Sequence, residues 1–501
     1  MPAHRTDDSG RSTVSDPKFI TQPFVDGKVV PAQAGETFDS VNPATGKVIA
    51  AVAACGESDV DFAVASARAA FDRGVWSRAD PAERKAVLLR FADLLDEHID
   101  ELAELDSIDA GKPITDCRTL DVPDAIGTIR WYAESIDKVF GSVSPTGPGN
   151  LGLITREPVG VVAGVLPWNF PMATLSWKIG PALAAGNSVV IKPAELSPFS
   201  TLRTAELAVE AGLPAGVLNV VPGLGHVTGK ALGLHPDVDV VTFTGSTEVG
   251  RHFLRYSADS NLKKVVLECG GKSPQLVLAD QRDRIGAIAE ELADAAFWNM
   301  GENCTCGSRI LVHRSLRDDL VAGLVAQLPS WPVGDPQHPD TKVGALIEEA
   351  HLRKVLGYID AGVSEGASVA AGGNQVRQES GGWFVEPTIF TDVTPEMSIA
   401  REEIFGPVLS VIAFDTEEEA IRIANDSPYG LAASVFTDDL NAAHRVARAL
   451  RAGTVSVNCY SEGDITTPFG GYKMSGFGGY DKGLEAFDQY TAVKTTWFAL
   501  R

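Results

Sequence analysis

The hydrophobic pattern changes character along the chain. From about Phe19 to Lys138 a short strand-rich entry gives way to segments such as Ser58–Arg73 and Pro81–Asp106, where Ala, Leu, Phe and Val recur at helical spacing. From Arg156 to Gly271, short β-branched runs alternate with helical ones. Val159–Leu166, Ser188–Ile191, Val217–Val221, Val240–Phe243 and Val265–Leu267 predict strands. Trp177–Ala185, Ser200–Ala211, Val227–Leu234 and Thr247–Tyr256 predict the helices between them. Such alternation with short connections specifies a parallel, doubly wound sheet, whose ligands bind at the carboxyl ends of its strands. A second alternating unit runs from about Ser273 to Phe469. Its strands are expected at Gln275–Leu278, Ile310–Val312, Leu409–Phe414, Ala433–Phe436 and Thr454–Asn458. Gly141–Ile154 reads as a hairpin reaching out from the body, and Val493–Ala499 as a terminal strand. Projecting pieces of this kind commonly pair with another subunit.

Length and charge narrow the function classes. The 501 residues are too many for one small core. The net charge of -23 argues against binding nucleic acid or anionic membranes, because phosphates would be repelled over most of the surface. Six cysteines are scattered, with no C-x-x-C and no paired-His motif, so neither a disulfide framework nor a metal site is expected. Residues 1–17 are polar and read as a disordered tail without the apolar core of a signal peptide. No apolar run reaches the roughly 18 residues of a membrane helix. A cytoplasmic protein is expected.

Several predicted strand ends carry chemistry. Val217–Val221 is followed by Pro222-Gly223-Leu224-Gly225-His226-Val227-Thr228-Gly229, and Val240–Phe243 by Thr244-Gly245-Ser246-Thr247-Glu248-Val249-Gly250. Both are glycine-bearing turns that open a helix, where backbone N–H groups can meet a pyrophosphate. Neither is the standard G-x-G-x-x-G. A third strand ends in Lys192-Pro193-Ala194-Glu195. There a lysine can bind ribose or phosphate oxygens, and a carboxylate accepts ribose hydroxyls and repels a 2′-phosphate. That favours NAD; rotation of Glu195 would admit NADP. Cys304 stands in a polar, Gly-flanked segment, Gly301-Glu302-Asn303-Cys304-Thr305-Cys306-Gly307, between a helical run and a strand. A thiol there can act as a nucleophile if a base is near. Glu268, at the end of Val265–Leu267 and before Cys269-Gly270-Gly271, is the candidate base.

With these blocks the chain resembles the aldehyde dehydrogenase superfamily over nearly its whole length. The matching segments are Pro167-Trp168-Asn169-Phe170-Pro171, Gly180–Asn187, Lys192–Glu195, Phe243–Ser246, Leu267–Ser273, the Cys304 block, Glu402–Pro407 and Pro468–Gly471. The resemblance implies a Rossmann-like dinucleotide-binding domain (18–139 and 160–270), an α/β catalytic domain (271–477) and a small β oligomerisation arm (140–159 and 478–501). It implies homodimers or homotetramers. It also implies roles: Cys304 as nucleophile, Asn169 with the Cys304 backbone N–H as oxyanion donors, Glu268 as the base that activates water, and Lys178 in a proton relay. For the cofactor it implies Leu166, Pro167, Trp168, Lys192, Glu195, Gly225, Gly229, Phe243, Gly245, Ser246, Val249, Glu403 and Phe405. Two departures stand out. Glu302 occupies a position where many members carry Gln. An apparent extra residue in Gly478-Gly479-Tyr480-Asp481 leaves open whether Asp481 is the relay acid.

The substrate is less constrained. Phe170, Trp177 and Phe469 are expected to wall the tunnel. The loop Asn458-Cys459-Tyr460-Ser461-Glu462-Gly463-Asp464-Ile465 places Glu462 and Asp464 where many relatives carry an aromatic residue at the tunnel mouth. Together with Arg130–Glu134 and Pro468–Lys473, this loop is similar to the polyamine-catabolic branch. An ω-amino-, γ-glutamylamino- or guanidino-butyraldehyde is the expected substrate, with a broad aliphatic or betaine-type aldehyde as the alternative. A serine hydrolase would require Gly362-Val363-Ser364-Glu365-Gly366 to be a nucleophile elbow, but the pattern before Ser364 is helical rather than a strand. Cys306, two residues from Cys304, raises the further expectation of an oxidative pairing.

Overall fold

The computed structural model describes residues 19–33, 35–461 and 463–501. The expected tail over 1–17 and the loop acid Glu462 lie outside them. Two twisted sheets carry the body. The first contains eight strands, in the order Lys28–Val29, Phe24–Val25, Leu218–Val220, Ser188–Lys192, Val161–Val165, Val240–Gly245, Lys264–Cys269 and Gly476–Phe477. Its five inner strands run parallel, and Phe24–Val25 and Gly476–Phe477 close it antiparallel on either side. Val161–Val165 and Ser188–Lys192 are buried at every position, which is why their sequences are continuous apolar runs rather than alternating ones.

Strand order reverses between Val161–Val165 and Val240–Gly245, so connections leave these two neighbours toward opposite faces. That switch point opens a crevice at their carboxyl ends. Pro167-Trp168-Asn169-Phe170 and Ser246 lie at this edge. Helix Pro171–Ala185 starts there with Pro at its first turn, and Gly186 ends it at φ 98°. The helix is buried on nearly all sides. A Cβ at Gly180 would come within 2.7 Å of the Tyr132 ring, so glycine sets how closely it packs on helix Val122–Ser135.

The second sheet has seven strands, in the order Ser368–Ala371, Thr388–Thr391, Val408–Phe414, Arg309–His313, Pro274–Val277, Ala432–Phe436 and Thr454–Val457. All neighbours are parallel except the first pair. A third sheet joins Ser142–Ser144, Asn150–Pro158 and Thr491–Ala499, uniting the expected hairpin with the expected terminal strand. Its outer strand is largely exposed, with Val493, Trp497 and Phe498 facing outward. Among the described residues no helix is long and apolar enough to cross a membrane. Ser364 ends helix Glu349–Ser364, and its hydroxyl donates to the Asp360 carbonyl at 2.8 Å. A strand-to-helix elbow is therefore absent at this serine, and the hydrolase alternative has no site there.

Candidate active site

The strand ends of the first sheet and the loops of the second face one cavity of about 570 Å³. Its wall includes Trp168, Asn169, Phe170, Trp177, Glu268, Cys304, Glu403, Phe405 and Phe469. Cys304 reaches it through a strained connection. Helix Ile285–Phe297 ends in a turn where Asn299, Met300 and Gly301 all take positive φ, at 52°, 57° and 68°. Successive left-handed residues cost energy and persist only where the surroundings over-determine them. Here a Cβ on Gly301 would fall 2.3 Å from the Gly406 carbonyl oxygen, and one on Gly271 would fall 2.5 Å from that of Cys304. The Cys304 loop is thus seated between two bare backbones.

Asn169 is held from both sides. Its side-chain amide donates to the Glu302 carbonyl at 2.8 Å, an acceptor it shares with the Asn299 amide at 3.0 Å. Its own carbonyl accepts from Lys112 Nζ at 2.7 Å. One N–H of the Asn169 amide is fixed in this way, which sets the direction of the other. Glu302 is almost wholly buried, and burial pushes its carboxyl well above the carboxylate range. Its Oε1 accepts the Ile347 N–H at 3.1 Å, a bond that a Gln side-chain carbonyl could also accept.

Glu268 ends strand Lys264–Cys269, is 2 % exposed, and has neither carboxyl oxygen hydrogen-bonded. Burial raises its pKa well above the usual range, the Asp481 carboxylate adds to this, and Lys178 opposes it. Lys178 and Asp481 are both fully buried and meet at 2.5 Å. The segment Gly478-Gly479-Tyr480 thus brings Asp481 to Lys178, and paired hydrogen bonds with the Phe469 backbone, 2.6 and 2.7 Å long, hold it in place.

The residues expected to hold a dinucleotide fall in two groups. Lys192 Nζ meets Glu195 Oε2 at 2.7 Å, and Glu195 Oε1 accepts the Gly225 N–H at 3.3 Å. Burial would raise the Glu195 pKa, yet the Lys192 ammonium brings it below its ordinary value. Gly229 lies beside them, its nearest would-be neighbours being Phe253 and Lys192. Nearer Cys304, Ser246 caps helix Thr247–Ala258 by accepting the Val249 N–H at 3.3 Å. Glu403 accepts the Gly271 N–H at 2.9 Å and lies so close to Gly270 that any Cβ there would collide with it. Burial lifts Glu403 to about 7. Phe405, at φ 61°, packs edge-on to Trp168. The Phe243 ring instead packs against Phe253 beneath Gly245, and Leu166 is buried, so their side chains serve the core.

At the other end, Ala173, Trp177, Leu431 and Phe469 form an apolar cluster on which Phe170 and Cys304 pack. Asp464 is exposed, and its carboxylate accepts both the backbone N–H and the hydroxyl of Thr466. These bonds hold it below the ordinary carboxylate range and tie it to its own turn. The acids on the cavity wall here are Asp121 and Asp124, which sequence reading passed over. Asp124 accepts the Trp177 indole N–H at 3.2 Å. The pattern hid them because they sit in a π-turn, Cys117–Asp121, and the first turn of the next helix, where acids usually mean only capping. Lys482 was also missed. Cys306 is buried, with its thiol toward the Ala296 carbonyl and its pKa pushed up to about 12 by burial. A protonated, engaged thiol does not favour oxidative pairing with Cys304.

Comparison with known proteins agrees with this geometry. The model of the aldehyde dehydrogenase family matches residues 29–496. An aminoacetaldehyde dehydrogenase of Pseudomonas aeruginosa is 54% identical over 474 residues, 95% of either chain. The structure of a gamma-glutamyl-gamma-aminobutyraldehyde dehydrogenase from Burkholderia cenocepacia superposes with a TM-score of 0.94 at 55% identity, covering 97% of both chains. An indole-3-acetaldehyde dehydrogenase of P. syringae, in complex with NAD+ and IAA, superposes with a TM-score of 0.95 at 53% identity, covering 97% of this chain and 98% of that one. A thiol, an amide and a buried carboxylate brought to one crevice are thus set in a frame shared from end to end, and the chain belongs to the aldehyde dehydrogenase family.

Proposed function

We propose that this protein oxidises ω-aminoaldehydes to carboxylic acids with NAD, through a thiohemiacetal and a thioester on Cys304. The observation that carries the chemistry is the convergence of Cys304, Asn169 and Glu268 on one cavity. Cys304 Sγ, as the thiolate, adds to the aldehyde carbon. The charge that develops on oxygen is met by the free N–H of the Asn169 amide and the backbone N–H of Cys304, each such donor being worth about 3 kcal/mol. A bound nicotinamide supplies the acceptor for the hydride that the former aldehyde carbon loses. Glu268 then takes a proton from water, whose oxygen attacks the thioester carbon and expels Sγ as thiolate. A carboxylate with a raised pKa suits this step, and the Lys178–Asp481 pair beside it offers the proton a way onward.

This chain's residues fit the dinucleotide. Lys192 and Glu195 would hold the adenosine ribose, the helix start at Ser246 the pyrophosphate, and Glu403 with Phe405 and Trp168 the nicotinamide riboside. Glu195 beside the ribose site supports NAD over NADP, as does the NAD+ complex of the P. syringae relative.

The amine is supported by Asp124 beside the Trp177–Phe469 wall, Asp121 being paired with Lys112 at 2.8 Å, and by the substrates named for the P. aeruginosa and B. cenocepacia relatives. A homo-oligomer is supported by the exposed apolar strand Thr491–Ala499, whose far edge awaits a partner. Comparing kcat/KM for 4-aminobutyraldehyde and butyraldehyde, by NADH absorbance, tests the reading. No preference for the amine, or an equal preference in Asp124→Asn, would refute the substrate class.

A further inference from the structure

Lys482 stands at the aromatic end of the cavity and has no part in the chemistry above. Its ammonium lies 4.4 Å from the centre of the Trp177 ring and 5.6 Å from that of Phe469. The residue is 4 % exposed and lines the cavity. Among the described residues no carboxylate forms an ion pair with it. The nearby loop acid Asp464 is engaged by Thr466. Its backbone is in the left-handed region, at φ 60°, an unfavourable setting for a side chain of this size. The conformation is enforced from both sides, by the Asp481–Phe469 backbone pair and by the Gly483 N–H donating to the Ile465 carbonyl at 2.9 Å. Among the described residues the loop acid that acts on this ammonium is Asp464, through space and with its carboxylate already bonded to Thr466; a buried cation so held by strained backbone against two aromatic faces is costly unless a ligand completes it.

We infer that Lys482 is a specificity residue that receives a carboxylate at the far end of the aldehyde. Opposite charges then bracket one indole, since Trp177 carries Lys482 over its face and donates its N–H to Asp124. A tail with an ammonium for Asp124 and a carboxylate for Lys482 is that of an α-amino acid. The inference rests on the aminoaldehyde reading and sharpens it, from aldehydes with a cationic tail to aldehydes with a zwitterionic one.

The experiment compares three aldehydes with each enzyme preparation: γ-glutamyl-γ-aminobutyraldehyde, 4-aminobutyraldehyde and butyraldehyde. The ratio of kcat/KM for the first two cancels any loss of folded enzyme. In Lys482→Met that ratio is expected to fall by about tenfold or more, the change residing in KM, because a charge-assisted hydrogen bond is lost. Lys482→Arg is expected to retain most of it. A ratio that stays within about twofold of wild type in Lys482→Met would overturn the inference. If the wild-type enzyme oxidised butyraldehyde as readily as both amines, the aminoaldehyde reading itself would fall, a result separable from the behaviour of the variant.

Discussion

Replacing Asn169 with Ala separates catalysis from folding. The amide makes one structural hydrogen bond, to the Glu302 carbonyl, and that carbonyl keeps the Asn299 amide at 3.0 Å after truncation. No buried acceptor is orphaned, so the stability cost is that of one neutral hydrogen bond, about 0.5–1.5 kcal/mol. The Asn169 carbonyl, which receives Lys112, belongs to the backbone and survives the change. The transition state, by contrast, loses one of two oxyanion donors, about 3 kcal/mol or roughly 10² in kcat. Steady-state NADH formation measures the second quantity and urea denaturation the first. Alkylation of Cys304 by iodoacetamide supplies a control, since that reaction develops no oxyanion and is expected to keep its wild-type rate. A fall in kcat of less than about fivefold would refute the assignment of Asn169 as a donor. A fall in alkylation rate matching that in kcat would show instead that the variant misplaces the thiol.

Further perturbations address the other groups. Glu268→Gln is expected to preserve a single burst of NADH while slowing thioester hydrolysis by about 10²–10⁴, seen in rapid-mixing kinetics. Asp481→Asn removes a charge that raises the Glu268 pKa and leaves Lys178, which lowers it. The acid limb of the hydrolysis rate is therefore expected to move to lower pH, and a shift upward would contradict the electrostatics. Gly271→Ala pushes a methyl against the Cys304 carbonyl, where it has 2.5 Å; kcat is expected to drop by about 10² from nucleophile misplacement. Glu195→Gln is expected to raise kcat/KM for NADP about tenfold relative to NAD, because the 2′-phosphate no longer meets a carboxylate.

Much of the frame was legible in the chain because burial on both faces of a parallel sheet imposes uninterrupted apolar runs. Ser188–Ile191 and Val240–Phe243 read as strands and are strands, differing by a residue or two at their ends. What the pattern could not convey is which polar groups the fold brings face to face. Asp124 and Trp177 are 53 residues apart, and nothing local marks that the indole N–H ends on that carboxylate. The loop acids illustrate the converse. Asp464 looks like a charge aimed at substrate, yet the turn that carries it consumes its carboxylate through Thr466. Phe243 shows the same limit, since strand alternation sends its ring into the core while the backbone beyond it turns toward the crevice.

Close backbone packing sets the segment before Asp481. Gly478 adopts φ 83°, with its bare Cα against the Val265 carbonyl, where a Cβ would sit 2.2 Å away. Gly479 is packed as closely on the Gln489 side chain. Tyr480 is exposed, and directly after it the chain pairs with Phe469. That pairing fixes three things together: Asp481 on Lys178, Phe469 on Trp177, and Lys482 over both rings. The Lys178–Asp481 pair beneath Glu268 and the Lys482 ammonium at the aromatic end of the cavity are consequently set by one short bridge. Substitutions at Gly478 are expected to disturb hydrolysis and tail selection in the same variant, whereas Lys482→Met disturbs selection alone.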